Sequence, residues 1–72
     1  MDRDRWLEEF AREAGVEPPT AEQVEQLLAL AGVAAHASER TAAPIACWLS
    51  GRSQLTLPQL QAAAARVGEA QD

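Results

Sequence analysis

The side chains best suited to chemistry fall in one stretch. Ala35-His36-Ala37-Ser38-Glu39-Arg40-Thr41-Ala42-Ala43-Pro44-Ile45 holds the sole histidine of the chain and clusters its polar groups between two apolar segments. His36 and Arg40 are four apart and share a face wherever a helix persists, and Glu39 lies three from His36. A His-x-x-Glu pair on a helix can chelate a metal, but two ligands are too few for a zinc site, and a third would have to come from Cys47. No metal is therefore expected. The plainer reading has His36 capping carbonyls at a helix C-terminus while Glu39 orients Arg40. The third reading is a contact surface of His36, Glu39, Arg40 and Pro44, with Arg52 from further along. Guanidinium groups there would suit a phosphate-bearing ligand such as a nucleotide or pterin.

Catalysis finds less support. A nucleophilic cysteine needs a lowered thiol pKa and a nearby base. Cys47 stands between Ala46 and Trp48 in an apolar segment, which suits a small packing residue. Ser50-Gly51-Arg52-Ser53 has neither the preceding strand nor the spacing of a phosphate-binding loop, and reads as a helix end. No catalytic residue and no cofactor are predicted, and the chain is read as a non-enzyme.

These residues need elements to hold them, and the chain is short. Its 72 residues form one domain, 1–72, with a thin core, because a chain of this size buries only about 60% of its unfolded surface. Trp6, Phe10 and Trp48 are expected to supply much of that core. Proline and glycine punctuate helical patterns, and no stretch alternates as a strand does. The spacing predicts an all-α bundle of about four short helices, near 3–14, 21–38, 42–50 and 57–67. Asp2 or Asp4 caps the first, Trp6, Leu7, Phe10 and Ala14 form its stripe, and Gly15 suits a left-handed C-terminal cap. Thr20-Ala-Glu-Gln23 is a capping box for the second helix. Val24, Leu27, Leu28, Ala31 and Ala35 run along that helix, widened by Leu30, Val33 and Ala34, so it is the expected hub. Gly32 within it suggests a close approach by a neighbour. The third helix starts at Thr41 with Pro44 in its first turn, turns Ile45, Trp48 and Leu49 inward, and ends at Gly51. Thr56-Leu-Pro-Gln59 opens the fourth, which buries Leu57, Leu60, Ala64 and Val67 and stops at Gly68. Short connections imply antiparallel neighbours.

Charge narrows the function classes. The net charge of -5 opposes non-specific nucleic-acid binding and anionic membrane surfaces. Met1-Asp2-Arg3-Asp4-Arg5 has no apolar segment behind it, and no apolar run approaches the roughly 20 residues of a membrane span. With a lone cysteine, the expectation is a cytoplasmic domain. One fragment points elsewhere. Trp48-Leu-Ser-Gly-Arg-Ser53 followed by Leu57-Pro-Gln-Leu60 looks like the back half of a phage-repressor helix-turn-helix. Yet Ala42 to Cys47, where a reader helix needs polar groups, has no Asn, Gln, Lys or Arg for base edges. No nucleic-acid partner is expected.

Trp6-Leu7, Leu27-Leu28-Ala29-Leu30-Ala31, Ala35-His36, Glu39-Arg40-x-Ala42-Ala43-Pro44 and Leu49-x-Gly51 carry a resemblance across nearly the whole chain. The chain resembles a family of small helical actinobacterial proteins of unknown function, found alone or fused to the molybdenum-cofactor guanylyltransferase MobA. Thr41 stands where that pattern usually has proline, and Cys47 where it commonly has threonine. The resemblance implies a link to molybdenum-cofactor biosynthesis through gene fusion, and implies no activity. The reading is an interaction or accessory module whose partner is another protein or a second copy of itself. Small-ligand binding and helix-turn-helix DNA binding are the alternatives. The functional surface is expected between His36 and Pro44.

Overall fold

In the computed structural model, which describes residues 1–69, four helices follow one another: α1 (Arg3–Ala14), α2 (Ala21–Ala37), α3 (Ala42–Arg52) and α4 (Leu57–Glu69). The all-α bundle predicted from spacing is the observed architecture. Local chemistry sets most of the boundaries. The Asp2 carboxylate accepts from the Arg5 amide at 2.9 Å and starts α1. Gly15, at φ 75°, ends α1 in the left-handed region, and the Val16 amide donates back to the Ala11 carbonyl at 2.9 Å. Both capping boxes form. Gln23 donates its amide to the Thr20 hydroxyl at 3.1 Å while its side chain accepts from the Thr20 amide at 2.9 Å. Gln59 and Thr56 do the same at 3.2 and 2.8 Å.

α3 starts at Thr41 as expected, although the Thr41 hydroxyl caps nothing. Two boundary expectations fail. Gly51 lies inside α3, which runs on to Arg52 and is capped by Ser53. Gly68 lies inside α4. In both places the pattern that suggests a stop is simply absorbed into the helix.

The hub expectation holds. α2 packs against both α3 and α4. The N-terminal turns of α2 and α4 border one cleft, and the C-terminal halves of α2 and α4 border another together with α3. The three helices therefore run up, down and up, with α2 and α4 parallel to one another and antiparallel to α3. Gly32 does not mark a close approach: a methyl there would meet nothing within 4 Å.

The core is where the structure departs furthest from the spacing. Among the described residues only Ala11 and Leu30 are buried. Trp6, Phe10 and Trp48, the expected anchors, are 53, 55 and 61% exposed. On α1, Leu7 is half-buried and Ala11 buried, while Trp6 and Phe10 stack on each other at 5.1 Å outside. α3 is turned the opposite way to expectation. Its half-buried residues are Ala42, Ala43, Ala46, Cys47 and Ser50, and its exposed ones are Pro44, Ile45, Trp48, Leu49 and Arg52. Both sets have helical spacing. Small side chains let the α3 backbone lie close to α2, so the small face wins the contact and the large residues are left outside. Ser50 tolerates that face because its hydroxyl donates to the Ala46 carbonyl at 2.8 Å.

Candidate functional site

The sequence-predicted residues take up positions at the two ends of α3. His36 is in the last turn of α2, Glu39 and Arg40 form the link, and Pro44 is in the first turn of α3. All are exposed. The link is built from backbone: the Ala42 amide donates to the Glu39 carbonyl at 2.8 Å and the Ala43 amide to the Arg40 carbonyl at 3.2 Å. Glu39 does not orient Arg40. Among the described residues the ion pairs are Arg3–Asp4 and Arg5–Glu9, both in α1.

Arg52 is separated from this junction by the length of α3, about 15 Å at 1.5 Å per residue. Its guanidinium lies over the Trp48 ring, 4.8 Å from the centroid. His36, Arg40 and Arg52 therefore do not converge on one polar pocket. Among the described residues no three His, Cys, Asp or Glu side chains group to hold a metal.

What lies between the two ends was not predicted. Pro44 and Arg52 bracket the outward face of α3, and that face is apolar. Ile45, Trp48 and Leu49 are 60, 61 and 57% exposed on it. Beside it, α2, α3 and α4 border an open groove of 480 Å³. Val33 and Ala37 form its floor, Ile45 and Leu49 one wall, Ala64 and Val67 the other. Val67 is 60% exposed. Among the described residues Glu39 is the one charged residue on the groove's border, and the groove's lining is mostly apolar.

The sequence did carry a signal for this face. α3 has small residues on one side and large apolar ones on the other, with only Arg52 charged. A helix without a polar side is one that is covered on both sides. Elsewhere Trp6 and Phe10, stacked on each other, are more than half exposed on α1, as are Val16 and Leu28. No helix among the described residues is long and apolar enough to cross a membrane.

Comparison with known proteins gives one assignment. Residues 1–72 match the family described as Domain of unknown function (DUF6457), and the chain belongs to that family. No curated protein and no solved structure matches it.

Proposed function

We propose, with that membership as the premise, that this chain is a non-enzymatic interaction module that serves by being packed against. One observation carries the reading: several large apolar side chains are outside, while α3 turns its small ones inward. Ile45, Trp48, Leu49 and Val67 on one surface and Trp6, Phe10 and Val16 on another are all more than half exposed. Contiguous apolar patches of this kind mark protein-binding surfaces. The partner we propose to test is a MobA-type guanylyltransferase, since the resemblance to fusion-forming actinobacterial proteins links the domain to molybdenum-cofactor biosynthesis. The site is then the α3 face and its groove, with the His36–Pro44 junction as its polar rim.

Sedimentation of the chain with and without the guanylyltransferase tests this. The expected result is a heavier complex that Leu49→Glu weakens. A chain that stays at its own mass alone and with the enzyme would remove the reading. The two alternatives are less well supported. A nucleotide or pterin pocket needs its arginines together, and Arg52 is engaged on Trp48 far from Arg40. A DNA-reading α3 needs polar groups outward, and its outward face holds Pro44, Ile45, Trp48 and Leu49.

A further inference from the structure

We propose that the cleft between α1 and α2 is a docking groove for a basic amphipathic helix of a partner protein. Leu7, Val24 and Leu28 receive that helix's apolar stripe, and Glu8 and Glu25 receive the lysine or arginine side chains beside it. This surface is distinct from the outward face of α3, so the inference goes beyond the reading above and stands or falls separately.

The first argument is what the cleft is made of. α1 is held through Leu7 and Ala11, and beside that contact the first two turns of α1 and of α2 border a cleft of 530 Å³. Its apolar part is left over from the fold: Leu7 and Val24 are only half-buried, and Leu28 is more than half exposed. Pro18 and Pro19 of the connector line it as well. On α2 the lining runs from Ala21 to Leu28, about 10 Å at 1.5 Å per residue, so an incoming helix meets it over about two turns. A groove of this kind is where an amphipathic helix lays its apolar face.

Charge decides the kind of helix. Both helices bring carboxylates to the cleft, Asp4 and Glu8 from α1 and Glu25 from α2. Arg3 is the one basic residue that lines it among the described residues, and its guanidinium is taken by Asp4 at 2.8 Å. Glu8 and Glu25 are exposed and make no ion pair among the described residues. Arg5 pairs with Glu9 instead, and Arg12, one turn beyond Glu8, does not pair with it. The chain has no lysine, and no arginine follows Arg66, so its C-terminal end supplies no cation to the rim. A lysine or arginine of the partner can lay its stem along the apolar lining while its charged head reaches a carboxylate.

The same charges set aside the other occupants. A second copy would bring its own net charge of -5 to an acidic rim, and like charges across an interface weaken it. A nucleic acid or an anionic membrane surface meets the same repulsion. A wholly apolar helix would cover Glu8 and Glu25 without giving either a partner, which costs free energy. A helix that is apolar on one face and basic beside it answers both parts of the cleft.

The probe is a synthetic leucine–lysine helix of about 18 residues, long enough to be helical, with its leucines on one face. It is titrated into the isotope-labelled chain, with amide shifts giving the site and calorimetry the affinity. The same peptide with glutamate for lysine is the control. The lysine peptide should bind, with the largest shifts at Leu7, Val24 and Leu28, and the glutamate peptide should not. The double variant Glu8→Gln/Glu25→Gln should weaken binding about five- to tenfold, the effect of losing two exposed ion pairs. Glu13→Gln/Glu22→Gln removes the same charge outside the cleft and should weaken it less than about twofold, because salt screens distant charges. Circular dichroism checks that the variants keep their helices; if one does not, the wild-type shift map still decides. Equal weakening by the two double variants means that the peptide is drawn by overall charge, and overturns the inference. Shifts centred on Ile45, Trp48 and Leu49, equal binding of the glutamate peptide, or no binding of either peptide overturn it as well. The guanylyltransferase is not read in this titration, so a failure here leaves the reading of the α3 face standing.

Discussion

α1 and α3 are of similar length and carry similar apolar triplets, Trp6-Leu7-Phe10 and Ile45-Trp48-Leu49, yet they are held in opposite ways. α1 is built to be a helix on its own. It has an aspartate cap, a left-handed glycine end and an Arg5–Glu9 pair one turn apart at 3.3 Å. Its hold on the rest of the bundle is slight, through Leu7 and Ala11, while α3 and α4 are the helices packed broadly on α2. α3 has fewer local devices: its threonine hydroxyl caps nothing, its end carries no left-handed glycine, and Arg52 is its sole charge. It is a helix because its small face lies on α2. The difference teaches that in this chain stability resides in what touches α2, whereas large apolar residues report what the surface is for.

The most severe way to break that comparison is to exchange a held residue and an unheld one of equal or larger size. Leu30 is 3% exposed on α2. Leu30→Ala is expected to cost about 2–5 kcal/mol, out of a total of about 4–11 kcal/mol for a domain of this length. Trp48→Ala removes far more atoms. For the chain alone it should nevertheless cost about 0.5 kcal/mol or less, the level of an ordinary surface substitution. Urea unfolding followed by circular dichroism measures both. A Trp48→Ala loss as large as that of Leu30→Ala would make the outer face of α3 a core face after all.

Overfilling the small contacts tests the two helices against each other. Ala46→Leu, on the face of α3 against α2, should lower global stability by about 1–3 kcal/mol, because α3 has nothing else to hold it. Ala11→Leu puts the same bulk under α1. There the strain can be relieved by lifting α1 away, at the expense of its own few contacts. Amide exchange in α1 should accelerate while exchange in α2 stays as it was. Equal slowing of folding and equal exchange changes in both helices would show α1 to be as much part of the core as α3.

How far the chain could be read in advance follows the same line. Helix number, order and most boundaries were legible because caps and breakers act locally: Asp2, Thr20, Thr56 and Gly15 do what their positions imply. The hub was legible in the breadth of the α2 stripe. The inward face of α3 was not. Spacing shows that Ile45, Trp48 and Leu49 share one side and that Ala42, Ala43, Ala46 and Cys47 share the other, but both sides are apolar, and periodicity assigns an inside only when one side is polar. Closeness of approach chose the alanines. The candidate surface was half legible for a related reason. Pro44 and Arg52, which stand out by their chemistry, bracket the face. Ile45, Trp48 and Leu49 between them carry large apolar side chains, which by size and spacing alone read as core. His36, Glu39 and Arg40 are exposed at the junction of α2 and α3.

The smallest effects sharpen the comparison at the helix starts. Asp2 accepts the Arg5 amide, so Asp2→Ala leaves that donor to water and removes a negative charge from the positive end of α1. The expected cost is about 1 kcal/mol, and it should appear as faster exchange of the first α1 amides, because a loosely held helix frays locally before the bundle opens. Thr41→Ala is the same kind of change at the head of α3, where the hydroxyl accepts no amide. There the cost should be no more than a few tenths of a kcal/mol, with no local fraying, since packing on α2 sets that end. Amide exchange and urea unfolding on the two variants separate the cases. An Asp2→Ala variant whose α1 amides exchange as in the wild type would mean that α1 is held by packing and not by its cap. A Thr41→Ala variant that loses as much as Asp2→Ala would mean that α3 is held by its cap and not by its packing. Either result would reverse the roles assigned to the two helices.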